Sequence, residues 1–278
     1  MISALNPMGG CAMQVKTRNI YLIPYMLWIV LFVIAPIALI VYYSLFNITG
    51  TLSLENYTRF FTPVYLGMAL RSFWYAGIIT GISLVAAYPA AYLLTKTEHK
   101  QLWLLLIILP SWINLLLKIY AFIGILGYYG PVNSFLDFIQ IGTRQILFTD
   151  FSFVFVAVYI FIPYMILPIF NALEELNPSL VAAARDLGAS SWKAFLRVIF
   201  PLTLSGVKAG CRAVFIPSLS LFMITRLISG NRVITLGTAV EQHFLVTQDW
   251  GMGSTIAVFL IIAMVLTMLL TETVGKVN

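Results

Sequence analysis

The chain has 278 residues, of which 61% are hydrophobic and only 9% charged, and its mean hydropathy is +0.96. That balance lies far outside the range of soluble domains and excludes a water-soluble enzyme or binding module. The net charge of +6 calls for no nucleic acid, because the basic excess gathers between apolar runs, where anionic lipid and the positive-inside rule account for it.

Residues 1–19 hold no apolar run ahead of Lys16 and Arg18, so the segment reads as a cytoplasmic amino-terminal extension rather than a cleaved signal peptide. A helix needs about 20 apolar residues to cross the hydrocarbon. About six such runs follow: Tyr21 to Phe46, Met68 to Leu94, Leu102 to Leu126, Phe151 to Leu173, Ser205 to Ile228 and Gly251 to Thr271. None alternates like a strand, so the expected fold class is an all-α integral membrane protein with about six transmembrane helices. Pro36, Pro89, Pro163, Pro168 and Pro217 interrupt spans, which suits helices that bend around a pathway.

In the third span, Pro110 removes a helical donor and is expected to kink one continuous helix, on which Ser111, Asn114 and Lys118 share a face. Lys118 stands about 24 Å along that helix from Leu102. An ammonium at membrane depth must face a wet cavity, pair with an acid or snorkel to the interface.

Glu174 to Pro201, EELNPSLVAAARDLGASSWKAFLRVIFP, is the one long soluble-looking stretch. Asn177 can cap a helix that begins with Pro178, and Leu180, Val181, Ala184 and Leu187 recur on one face. Gly188 suits the left-handed residue that ends such a helix, and Ser190 or Ser191 can cap a second one bearing Trp192, Phe195, Leu196 and Ile199. Two short amphipathic helices cannot bury their apolar faces alone, so the unit is expected to serve as a handle for another protein. Farther on, Ile228 to Trp250 carries Arg232, Glu241, His243 and Asp249 and is expected to form an outer loop or short helix beside the mouth of any pathway, or else a solvated connector.

With both termini inside, the inner segments carry Lys16, Arg18, Lys96, Lys100, Arg185, Lys193, Arg197, Lys208 and Lys276, against Arg59, Arg71, Arg144, Arg226 and Arg232 outside. This bias orients the chain and puts Glu174 to Pro201 in the cytoplasm. Cys11 and Cys211 form neither a metal spacing nor a disulfide framework. No phosphate loop, zinc-protease helix or nucleophile elbow is present, and the ten acids fall nearly all in loops, so neither catalysis nor a bound metal or cofactor is expected of this chain. A secondary transporter working alone would usually bury acids or broken helices at the midplane in repeated halves, which the sequence does not display.

Ala182 to Gly210, AAARDLGASSWKAFLRVIFPLTLSGVKAG, resembles the EAA loop of ABC importer permeases. Gly188 takes the loop glycine, and Val198, Ile199, Phe200 and Pro201 stand near the later I-x-L-P. Across most of its length the chain is similar to the PotB-type permeases of spermidine/putrescine importers. LENYTRFFTPVY at Leu54 to Tyr65, LPSWINLLLKIYAF at Leu109 to Phe122, EELNPSLVAAARDLGAS at Glu174 to Ser190 and FLVTQDWGMGSTIA at Phe244 to Ala257 carry the similarity. The resemblance implies a type I importer permease fold, with 20–278 one transmembrane permease domain and a coupling loop at about 174–204. It implies a second homologous permease, an ATPase dimer holding the ATP and Mg, and a periplasmic or extracellular polyamine-binding protein, all in or on a bacterial inner membrane. An importer of another small organic solute is the alternative.

By the same resemblance, Ala183, Ala184, Arg185, Asp186, Leu187 and Gly188 dock on the ATPase, and the PFW-type motif and the basic residue before I-Y fall on Pro110, Ser111, Trp112 and Lys118. Two departures stand out. Ala182 replaces the glutamate of E-A-A, leaving docking to packing plus Arg185 and Asp186, and Arg226 near the outer exit would repel a polycation. Aromatic faces can hold ammonium groups, so the expected pathway residues are Trp112, Asn114, Lys118, Tyr120 and Trp250.

Overall fold

The structure, a computed structural model, describes residue 22 and residues 24–273. The expected extension 1–19, Tyr21 at the edge of the first span, Cys11 and the basic residues Lys16, Arg18 and Lys276 lie outside the described residues. A long apolar run surrounded by lipid satisfies its backbone polar groups internally as a helix. Among the described residues the only strand-like pairing is an isolated bridge between Phe46 and Leu52.

In chain order the helices are α1 (Pro24–Ser44, with a π-helical stretch at Val30–Ile34), α2 (Glu55–Phe60), α3 (Pro63–Leu94), α4 (Lys100–Ile108), α5 (Leu115–Leu126), α6 (Pro131–Phe138) and α7 (Asp150–Glu174). They continue as α8 (Pro178–Asp186), α9 (Ser191–Leu202), α10 (Leu204–Leu219), α11 (Met223–Ile228), α12 (Leu236–Leu245) and α13 (Trp250–Thr273). The first, second, fourth and sixth expected spans are continuous helices. Five helices are long and apolar enough to cross a membrane, and a sixth crossing forms if α9 and α10, bent by 62°, count as one.

The third and fifth spans differ from expectation. Pro110 does not kink one helix; it sits in a 3-10 turn, Leu109–Trp112, beyond which Ile113 and Asn114 are extended. Asn114 then starts afresh as the cap of α5, its Oδ1 accepting the Leu116 N–H at 2.8 Å. Ser111, Asn114 and Lys118 therefore do not share one helical face. A crossing of the required length runs instead from Leu115 to Phe138. In the fifth span, α10 ends two residues beyond Pro217, and α11 resumes after Ser220–Phe222.

Helices α3, α7 and α10 form the centre of the bundle. α10 reaches α7 through two glycines: a Cβ on Gly206 would lie 2.5 Å from Ala172 Cβ and 2.6 Å from the Pro168 carbonyl oxygen, and one on Gly210 would lie 2.8 Å from Met165 Sδ. Small residues four apart let helix backbones approach where lipid offers no hydrophobic drive. Between α9 and α10, buried Thr203 donates to the Ile199 carbonyl at 2.9 Å, so the Tyr88 hydroxyl of α3, at 2.8 Å, must be the donor to Thr203 Oγ1. α1 stands apart, with none of its most apolar window buried, and packs on α13.

Candidate functional site

The loop between α7 and α10 is built by local caps. Asn177 Oδ1 accepts the Ser179 N–H at 3.0 Å, with Pro178 at the first helical position. At the other end of α8, Gly188 has φ +84°, as its place in the sequence led one to expect. Its N–H donates to the Arg185 carbonyl at 2.8 Å and that of Ala189 to the Ala184 carbonyl at 3.0 Å, the paired bonds of a Schellman ending. Ser190 Oγ then accepts the Lys193 N–H at 3.3 Å and starts α9.

The expected apolar faces are divided. Val181 and Ala184 are half-buried and Ile199 is buried, while Phe195 rests edge-on against Tyr88 and Tyr92. Leu180 and Leu196 point outward, Trp192 is 67% exposed, and Leu187 at the tip is 90% exposed. Beside that tip lies a recess of about 330 Å³ floored by Ala184, Gly188, Ala194 and Val198 and edged by Lys193 and Arg197. The six residues Ala183, Ala184, Arg185, Asp186, Leu187 and Gly188 thus share one projecting end. Behind α8, toward the bundle, a wider recess of about 760 Å³ holds Lys96, Lys100, Glu174, Arg185 and Asp186. There Lys100 pairs with Glu174, tying the start of α4 to the end of α7, and Lys96 lies 4.1 Å above the Tyr92 ring.

The five expected pathway residues are scattered. Trp112 is 77% exposed, Tyr120 points outward, and Asn114 spends its carbonyl on the cap. Trp250 opens α13, against Tyr43 and Phe244. Only Lys118 turns inward: it is 9% exposed and lines a cavity of about 380 Å³ with Ser111, Ile113, Leu115, Ile160, Phe161, Tyr164, Ala213, Pro217, Leu221 and Ile224. Residues 160–164 lie midway along the 25-residue α7, so the cavity is at mid-depth. Lys118 therefore does not snorkel, and among the described residues no acid pairs with it. An ammonium so placed costs about 2.5–3.5 kcal/mol on insertion scales. The sequence marked Ser111, Lys118 and Pro217; the apolar lining from α7 and α11 carried no local signal.

At the opposite end of the bundle, the segment expected as an outer loop or short helix does form a short helix, α12, and is mostly packed rather than a solvated connector. α12 is capped by Thr235 and buries Leu236, Gly237, Thr238 and Ala239. Arg226 is not a bare charge, since Glu241 takes it at 2.8 Å. Nearby, His243 Nε2 meets the Tyr65 hydroxyl at 2.9 Å, and Asp249 lies 3.9 Å from His243 Nδ1 and 3.8 Å from Arg59. Burial pulls the His243 pKa below its usual value, with Arg59 adding to that and Asp249 opposing it.

Residues 64–276 match the family described as "Binding-protein-dependent transport system inner membrane component". The spermidine/putrescine transport system permease protein PotB of Haemophilus influenzae is 35% identical over 249 residues, covering 86% of this chain and 87% of that protein. The PotB of Escherichia coli is 36% identical over 252 residues, covering 87% and 92%. The inner membrane ABC transporter permease protein YdcU of E. coli is 30% identical over 198 residues, covering 66% and 63%. Among solved structures, a chain from a bacterial ABC transporter involved in the import of the acidic polysaccharide alginate superimposes with a TM-score of 0.78 at 13% identity, covering 95% of this chain and 96% of that one. The chain belongs to this inner-membrane family: it is a permease subunit of an ABC importer, a multi-pass protein of the type I permease fold that works beside another permease, an ATPase and a binding protein and is not itself the catalyst.

Proposed function

We propose that this chain is one half of the membrane core of an ATP-driven polyamine importer, and that it carries spermidine or putrescine. In this reading it pairs with a second homologous permease, takes solute from a periplasmic or extracellular polyamine-binding protein and is driven by an ATPase dimer holding ATP and Mg. Residues 20–278 act as one permease domain with both termini in the cytoplasm, an orientation that the bias of basic residues supports. The observation that carries the driven part is the projecting loop: an apolar knob, Leu187, beside a recess edged by Lys193 and Arg197, held on a capped two-helix unit. Ala183, Ala184, Arg185, Asp186, Leu187 and Gly188 form its docking face. Trp112, Asn114, Lys118, Tyr120 and Trp250 contribute to the pathway wall, the exposed aromatics facing the sister chain or the solute.

The polyamine part is supported by the relatives at 34–36% identity. The Arg226–Glu241 pair also lessens the repulsion that a lone arginine would exert on a polycation. A second reading, import of another small organic solute, is favoured by the Lys118 cavity, which no carboxylate among the described residues lines. The test is uptake of labelled spermidine and putrescine into proteoliposomes holding the complete transporter, with ATP and the binding protein each left out in turn. Uptake that needs both supports the proposal. Uptake that survives without ATP refutes the driven reading, and ATP hydrolysis without polyamine uptake refutes the polyamine reading alone.

A further inference from the structure

The cavity at Lys118 has the makings of an anion site. Lys118 is 9% exposed and lies at mid-depth, and its side-chain ammonium has no hydrogen-bond or ion-pair partner among the described residues. It stands in the first turn of α5, a twelve-residue helix that restarts inside the membrane and whose second residue is served by Asn114. The N–H groups of that turn give the helix start a positive end, and Leu115 of the same turn lines the cavity. A fixed cation and a helix start thus meet in one cavity, and among the described residues no aspartate or glutamate lines it. Leaving such a charge unpaired in an apolar surround is costly, and a carboxylate held by charge-assisted hydrogen bonds is the chemistry that relieves it.

Amines are not excluded from the same space. Tyr164 and Ala213 both line it, and Pro168 and Pro217 lack the N–H groups that would otherwise meet their carbonyls. A volume of about 380 Å³ is of the size that holds a small organic molecule.

We propose that the Lys118 cavity is a carboxylate-binding subsite on the transport pathway. The carboxylate belongs either to the solute, beside its amines, or to a side chain of the sister permease that reaches in. The proposal rests on the reading that this cavity borders the pathway, and not on the solute being a polyamine.

The experiment uses the complete transporter in lipid nanodiscs, without the binding protein, and compares wild type with Lys118→Met and Lys118→Arg. The probes are spermidine and putreanine, which is spermidine with its aminopropyl end oxidised to a carboxylate. If the solute supplies the carboxylate, wild type binds putreanine about tenfold or more tighter than spermidine, the scale of one charge-assisted hydrogen bond. That preference is lost in Lys118→Met and kept in Lys118→Arg, and all three complexes melt together. If the sister permease supplies it, neither probe is preferred, and Lys118→Met alone lowers the melting temperature of the complex because a buried carboxylate is stranded. A Lys118→Met transporter that matches wild type in both readings, or that binds spermidine better without touching the other two, overturns the proposal. Both readings come from binding and melting and so do not depend on uptake, and a wild type that binds neither probe and melts with Lys118→Met overturns the proposal.

Discussion

Gly188 holds φ +84°, and a Cβ built on it would meet nothing within 4 Å. The cost of replacing it is therefore a backbone cost, with no steric term to confuse it. A left-handed residue with a Cβ costs roughly 1–2 kcal/mol, and a β-branched one sits at the upper end. Asparagine tolerates that region because its short side chain bonds locally. A penalty of 1–2 kcal/mol shifts a two-state population by a factor of about 5–30. The Schellman ending would give way first, and the bond from Ala189 to Ala184 that sets the angle between α8 and α9 would go with it. The expected series in a complete transporter is Gly188→Asn near wild type, Gly188→Ala intermediate and Gly188→Val worst. The quantity to measure is ATP hydrolysed per solute imported, together with ATPase retention on the purified permease pair. Melting of the membrane bundle is expected to stay constant, since the loop lies outside α3, α7 and α10. Val and Asn variants that couple equally well would refute the reasoning, as would normal retention of the ATPase by Gly188→Val with unchanged stoichiometry.

At the α7–α10 crossing, Gly206→Val is expected to destabilise the purified chain by about 1–3 kcal/mol through overpacking, whereas Gly81→Ala, which has open space around its Cβ, should melt like wild type; equal melting of the two would refute the close approach. His243 has a folded-state pKa below the usual 6.5, so the unfolded chain takes up its proton first. Its contribution to stability is full above about pH 6.5 and is lost as pH falls from there through the lower folded value. His243→Gln should flatten the acid limb of a melting-versus-pH curve, and an unchanged slope would show that Asp249 or another group sets it. Trp112→Leu keeps apolar bulk but removes a face worth roughly 0.5–2 kcal/mol to an ammonium. It should lower uptake of the proposed amine solute severalfold while assembly persists, and a parallel loss of assembly would mark Trp112 as packing against the sister chain.

What the sequence disclosed and what it hid separate by distance along the chain. The loop was legible because its caps are contacts between neighbours: Asn177 with Ser179, Ser190 with Lys193, Gly188 with Arg185. The break in the third span was not. Asn114 and Lys118 are four apart and fit a helical face as well as they fit a cap and its first turn, and only the packing of α5 against α7 and α11 decides between them. For the same reason the sequence seemed to lack the broken helix that is in fact present. Arg226 looked unopposed because Glu241 is fifteen positions away. α12 looked solvated because its burial depends on α3, where Ser72 accepts the Leu236 N–H at 2.8 Å.

The joint at Thr203 has a mechanical meaning. α9 and α10 meet at 62°, and their meeting point is fastened to α3 by the bond from Tyr88 to Thr203 at 2.8 Å. A push on Leu187, the docking knob proposed above, would act on one arm of a bell crank whose pivot is held by another helix. Beyond the pivot, α10 is meshed with α7 at Gly206 and Gly210, a close fit that would make the two turn as one arm. If the loop docks as proposed above, the geometry would deliver movement of Leu187 to Ala213 and Pro217, on the wall of the Lys118 cavity, as a rotation and not as a shove along the membrane normal.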